Sequence, residues 1–146
     1  MKILIAEDDR ISRVFLRDFM EVYGEVDVAV DGMETLDLYL EAVRKKQPYD
    51  LLCLDIMMPK IDGLKVLRVI RGLEEQNKVP AEEHLKIIMM TALAEVDYVK
   101  EAFELGCDAY ASKPIDTAKV EEVMGNIGLL EDGDTAQAEQ DEADKE

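Results

Sequence analysis

Residues 51–63 read Leu51-Leu52-Cys53-Leu54-Asp55-Ile56-Met57-Met58-Pro59-Lys60-Ile61-Asp62-Gly63. Four apolar residues in a row, without alternation, read as a strand buried on both faces, as in a parallel sheet covered by helices. Asp55 then stands at the C-terminal end of that strand. Three other strand-like runs also end on polar groups. Ile3-Leu4-Ile5-Ala6 ends at Glu7-Asp8-Asp9, Ile87-Ile88-Met89-Met90 at Thr91, and Ala109-Tyr110-Ala111 at Ser112-Lys113-Pro114. In an open parallel α/β sheet the C-terminal strand ends form the ligand-binding edge. One edge therefore gathers acids, a hydroxyl and an ammonium, which suit a divalent cation and a phosphoryl group.

Working outward, apolar runs alternate with amphipathic segments, the pattern of parallel βαβ units. Ile11, Val14, Phe15, Phe19 and Val22 recur at helical spacing and mark helix 1, with Gly24 as its expected C-cap. Residues 26–30 alternate partly, as an edge strand would. Asp31-Gly32 reads as a turn, and Met33, Leu36, Leu40 and Val43 mark helix 2. Helix 3 follows Gly63, with Leu64, Leu67, Ile70 and Leu73 facing inward. Residues 77–85 form a polar connection with Pro80 and the lone histidine, His84, read as a solvated surface residue. Helix 4 is expected from about Glu95 to Leu105, stopped by Gly106. Asp116 is the expected N-cap of helix 5, whose stripe is Val120, Val123, Met124 and Ile127.

The chain of 146 residues carries a net charge of −17. Residues 131–146 hold eight acids against Lys145 and show no apolar stripe, so a disordered acidic tail is expected after a single domain spanning 1–130. Such a surface repels nucleic acid and anionic lipid, so neither is an expected partner. No apolar stretch approaches the roughly 18 residues of a membrane span. With a strand beginning at residue 2, no signal peptide is expected. Cys53 and Cys107 read as small reduced core residues. A cytoplasmic location is expected.

Four elements at consecutive strand ends carry a resemblance. They are the acids after strand 1, the Asp55-to-Pro59 run with Asp62-Gly63, Thr91-Ala92, and Lys113-Pro114. Together they resemble the receiver domain of two-component response regulators, over about residues 2–128. The resemblance implies a flavodoxin-like (βα)5 fold, an α/β architecture with a five-stranded parallel sheet in the order 2-1-3-4-5. It implies phosphorylation of Asp55 by a histidine kinase or histidine phosphotransfer protein. Because the family pattern places a basic residue five positions after the second metal acid, Arg13 points to Glu7 and Asp8 as the pair, leaving Asp9 a neighbour. Tyr110 matches the family's aromatic switch position, and Lys113-Pro114 its cis bond.

The implied cofactor is Mg²⁺, which wants six oxygens and usually keeps waters. Asp8, Asp55 and the Met57 backbone carbonyl would supply ligands, with Glu7 acting through a water. Thr91 and Lys113 would hold the phosphoryl oxygens. Each residue also has a plain structural reading, as a helix cap or a surface charge. A phosphohydrolase of the haloacid-dehalogenase type would need an aspartate where Met57 stands. The expected protein is therefore a stand-alone signalling switch that assists its own phosphorylation and hydrolysis, rather than a metabolic enzyme. Its downstream partner is unnamed by the sequence, with homodimerisation left open. The helix 4–strand 5–helix 5 face, with Tyr98 and Tyr110, is the implied partner surface. A constitutive module of the same fold that never takes phosphate is the remaining rival.

Overall fold

Among the described residues, five strands and five α-helices alternate, with a short 3-10 turn (Ala81–Glu83) before the fourth strand. They are β1 (Lys2–Ala6), α1 (Arg10–Met20), β2 (Glu25–Ala29), α2 (Gly32–Arg44), β3 (Leu51–Asp55), α3 (Gly63–Gln76), β4 (Lys86–Thr91), α4 (Tyr98–Leu105), β5 (Ala109–Ser112) and α5 (Thr117–Asn126). The computed structural model describes residues 1–92 and 97–130. The expected tail at 131–146 and the start of helix 4 near Glu95 lie outside the described residues. All strands are parallel, in the order β2-β1-β3-β4-β5.

The two-residue period of a strand divides the core into two layers. Leu4, Ala6, Leu52, Leu54, Ile87 and Met89 face α2, α3 and α4. Ile3, Ile5, Leu51, Cys53, Ile88 and Met90 face α1 and α5. Fully burying a Leu or Ile side chain contributes about 1.5–3 kcal/mol, so these continuous apolar runs fix the central strands. Four helices start on an aspartate whose carboxylate accepts a main-chain N–H of the first turn: Asp9 from Ser12, Asp31 from Glu34, Asp62 from Lys65 and Asp116 from Ala118. This capping places each helix start just beyond a strand end or in its following loop.

Several helix faces differ from the sequence expectation. In α1 the buried residues are Leu16 and Met20, with Phe19 and Tyr23 packed beside them, whereas Ile11 and Val22 are each 81% exposed. In α2 the core takes Thr35, Tyr39 and Ala42, and leaves Met33, Leu40 and Val43 exposed. Both helices carry two overlapping apolar rows, and their seat on the sheet selects one. Helix α1 ends at Met20 with Glu21 as its C-cap, so Gly24 is not the cap. Gly24 serves a close approach instead: a Cβ there would lie 1.9 Å from the Met1 carbonyl oxygen. His84 is half-buried rather than solvated, with Nε2 2.9 Å from the Val79 carbonyl. The inward stripe of α3, the Gly106 cap of α4 and the Asp116 cap of α5 stand as expected.

Candidate functional site

The C-terminal ends of β1, β3, β4 and β5 meet at one edge. β3 closes on Asp55, which is buried and paired in register with Met90 of β4. One residue further, Thr91 ends β4, also buried, and its carbonyl accepts the Lys113 N–H at 2.6 Å. Lys113 follows β5 on a cis peptide to Pro114. Its Nζ lies 2.6 Å from Glu7 Oε1 and 3.3 Å from Asp55 Oδ1. One carboxylate oxygen from each of Glu7, Asp8 and Asp55 falls within a 4.8 Å cluster. Asp9 points its carboxylate to the α1 cap instead. Met57 lies in the β3–α3 loop with its side chain half open to solvent. Tyr110 is exposed on β5, edge-on to Phe103 at 6.1 Å.

Burial pushes the Asp55 carboxyl up to about 8; the hydrogen bond to Glu7 and its charge add to this, and Lys113 opposes it. For Lys113 burial works against the charged form, yet the bond to Glu7 and the charge of Asp55 outweigh it and the ammonium is held more firmly. Three carboxyl groups share this edge with one ammonium, and the raised Asp55 value reflects that shortage of positive charge.

The model for the response regulator receiver domain matches residues 3–124. The chain belongs to the receiver domain family.

Response regulator MprA of Mycobacterium tuberculosis is 34% identical to this receiver domain over 131 residues, 89% of this chain and 50% of the relative. Sporulation initiation phosphotransferase F of Bacillus subtilis is 30% identical over 84% of this chain and 90% of its own. The REC domain of AraT from Geobacillus stearothermophilus superposes with a TM-score of 0.68 at 31% identity, covering 95% and 97% of the two chains. Histidine kinases also match, but the receiver domain spans a tenth or less of their length. One receiver of the same fold was crystallised with a histidine phosphotransfer protein. Receiver domains are modules of phosphorylation-dependent signalling and generally bind Mg²⁺ at an acidic pocket. No helix among the described residues is long and apolar enough to cross a membrane.

The residues here fit such a cation. Glu7 Oε2 is buried with no hydrogen-bond partner among the described residues, an atom that costs free energy unless something positive or a donor reaches it. Hard oxygen donors from carboxylates are the set Mg²⁺ prefers.

The sequence reading missed what holds this edge in place. Gly63 stands at a close approach, where a Cβ would lie 2.2 Å from the Asp55 carbonyl oxygen. A Cβ on Gly32 would likewise lie 2.0 Å from the Ile61 carbonyl oxygen. At the opposite end of the sheet, Arg71 donates to Glu74, to the carbonyls of Leu85 and Gly106, and to Asp108. Only a glycine directly after the Asp62 cap hinted at the first of these. Nothing local announced the Arg71 hub.

Proposed function

We propose that Asp55 is the phosphoacceptor of a signalling switch. The observation that carries this is the buried carboxylate at the end of β3, 3.3 Å from the Lys113 ammonium and clustered with Glu7 and Asp8. In the transfer, an oxygen of ionised Asp55 bonds to phosphorus while the P–N bond to a donor histidine breaks. The electron pair of that bond returns to the imidazole nitrogen. Lys113 holds a phosphoryl oxygen and stabilises the charge on it, and the Thr91 hydroxyl at the neighbouring strand end takes another. Glu7, Asp8, Asp55 and the Met57 carbonyl are the residues that would hold Mg²⁺. That ion supplies charge neutralisation when bound. The resulting Thr91 contact and the outward Tyr110 form the switch that a downstream protein reads.

The donor is a histidine kinase or a histidine phosphotransfer protein, consistent with the kinase and phosphotransferase names among the relatives. The exposed Ile11 and Phe15 on α1, beside the Glu7–Asp8 loop, offer such a donor an apolar contact. We place the switch in the cytoplasm, where reduced Cys53 and Cys107 persist. Met57, two residues after Asp55, has no acid–base capacity, which argues against a turnover phosphohydrolase. Incubation with acetyl phosphate and Mg²⁺ should add one phosphoryl group to the wild type and none to Asp55→Ala. Asp8→Asn should lose this uptake and Asp9→Asn keep it. Equal modification of wild type and Asp55→Ala would overturn the assignment.

A further inference from the structure

Past Ala6 the pairing of β1 with β2 ends in a single bond, from the Glu7 N–H to the Ala29 carbonyl at 3.0 Å. The main chain then carries Glu7 and Asp8 over the sheet edge with no further strand partner. Asp9 stops the excursion by capping α1. Arg13 lies in the first turn of that helix, its own N–H on the Asp9 carbonyl at 2.9 Å. From there the side chain turns back over the loop. Its Nη1 donates to the Glu7 carbonyl at 3.0 Å and to the Asp8 carbonyl at 3.2 Å. Among the described residues no carboxylate lies within 4.0 Å of this guanidinium. Its donors go to main-chain oxygens although three carboxylates cluster nearby.

We propose that Arg13 is a positioning residue: it clamps the main chain of Glu7 and Asp8 so that both side chains stay converged on the cation site. Clustered carboxylates repel one another and tend to spread the loop that carries them. Hydrogen bonds from a charged donor are roughly twice as strong as neutral ones. One nitrogen bridging two successive carbonyls therefore resists that spreading. Removing a group bonded directly to a metal-ligating side chain typically changes metal affinity about 10–100-fold; Arg13 acts through the main chain of the ligand residues, which places its effect at the lower end of that range. Charge alone has the opposite sign. A fixed cation near an acidic site repels a divalent ion, so deleting it would tighten binding.

This inference rests on the phosphoacceptor reading of Asp55, and the experiment separates the two. Mg²⁺ is titrated into the unphosphorylated protein and followed by amide NMR shifts of residues 6–9 in wild type, Arg13→Ala and Arg13→Lys. Melting temperature checks that the variants are folded. Acetyl phosphate uptake is then measured across Mg²⁺ concentrations. We expect Arg13→Ala to bind Mg²⁺ about tenfold more weakly. Its uptake should need correspondingly more Mg²⁺ while reaching a wild-type rate at saturation. Arg13→Lys keeps the charge and one donor centre, and should recover part of the loss. Unchanged or tighter Mg²⁺ binding in folded Arg13→Ala overturns the positioning role, as does a Lys variant no better than Ala. If wild type itself takes up neither Mg²⁺ nor phosphate, the phosphoacceptor reading fails. If wild type does both and the variants match it, only the Arg13 assignment falls.

Discussion

Replacing Asp55 by Asn should stabilise the cation-free protein, and the gain should grow with pH. In the folded state the carboxyl is pushed from 3.8 up to about 8, first by burial and then by Glu7. A folded-state value above the unfolded one means that the folded protein holds the proton more tightly. The associated stability is complete below the unfolded value and is lost as pH rises towards the folded one. Between about pH 5 and pH 7 the unfolded chain has released this proton and the folded protein has kept it, so each pH unit costs up to about 1.4 kcal/mol. Over that window the loss reaches at most about 3 kcal/mol. Asn has nearly the same shape and no charge, so it escapes this cost. Titrating groups away from this edge contribute equally to both proteins and cancel in the difference, whereas Lys113 loses the Asp55 charge that helps to hold its own proton. For a domain of this size 1 kcal/mol moves the melting temperature by roughly 3–5 °C, so the Asn advantage should widen by on the order of 10 °C. The assay is thermal melting of both proteins in metal-free buffer across this range, repeated with Mg²⁺, which should narrow the gap. A difference in melting temperature that stays constant with pH would refute the reasoning, because it would mean that ionised Asp55 is not penalised at this edge.

Three further outcomes follow from the same geometry. Gly63→Ala forces a methyl into the Asp55 carbonyl, 2.2 Å from the ideal Cβ; denaturant melts should show a loss of at least about 2 kcal/mol, and uptake from acetyl phosphate should fall with it. Arg71→Met strips the guanidinium from Glu74, whose side chain is only 4% exposed and keeps the Leu85 N–H on its other oxygen, and calorimetry should register about 3–5 kcal/mol of destabilisation, partly recovered by adding Glu74→Leu. Met57→Asn places a group that can hydrogen-bond water two residues after Asp55, the proposed phosphoacceptor, and the phosphorylated variant should lose its phosphate severalfold faster than wild type when followed by mass spectrometry.

The central strands were legible because their demand is local. A strand buried on both faces needs an unbroken apolar run, and Leu51–Leu54, Ile3–Ala6 and Ile87–Met90 each provide one. The polar residue after each run had to lie at a strand end, so Glu7, Asp8, Asp55, Thr91 and Lys113 could be placed on one edge before any coordinates. The helix caps were equally local, since Asp62 and Asp116 bond to N–H groups two or three residues on. The helix faces were a different matter. Helix α1 carries the spacing Ile11, Val14, Phe15 and Phe19 and a second row of Leu16, Phe19 and Met20, which share Phe19 and which periodicity weighs equally. Only the seat of the helix on the sheet buries the second row. The glycines tell the same story. Gly24, Gly32 and Gly63 exclude a Cβ because of the carbonyls of Met1, Ile61 and Asp55, which come close only after the chain has folded. Sequence by itself thus determined which side chains reach the edge and what chemistry they bring. The tertiary structure decided their spacing, the upward push on the Asp55 carboxyl, the Arg13 hydrogen bonds to the Glu7 and Asp8 carbonyls and the Arg71 hub, because each depends on groups that meet through packing rather than through a local pattern.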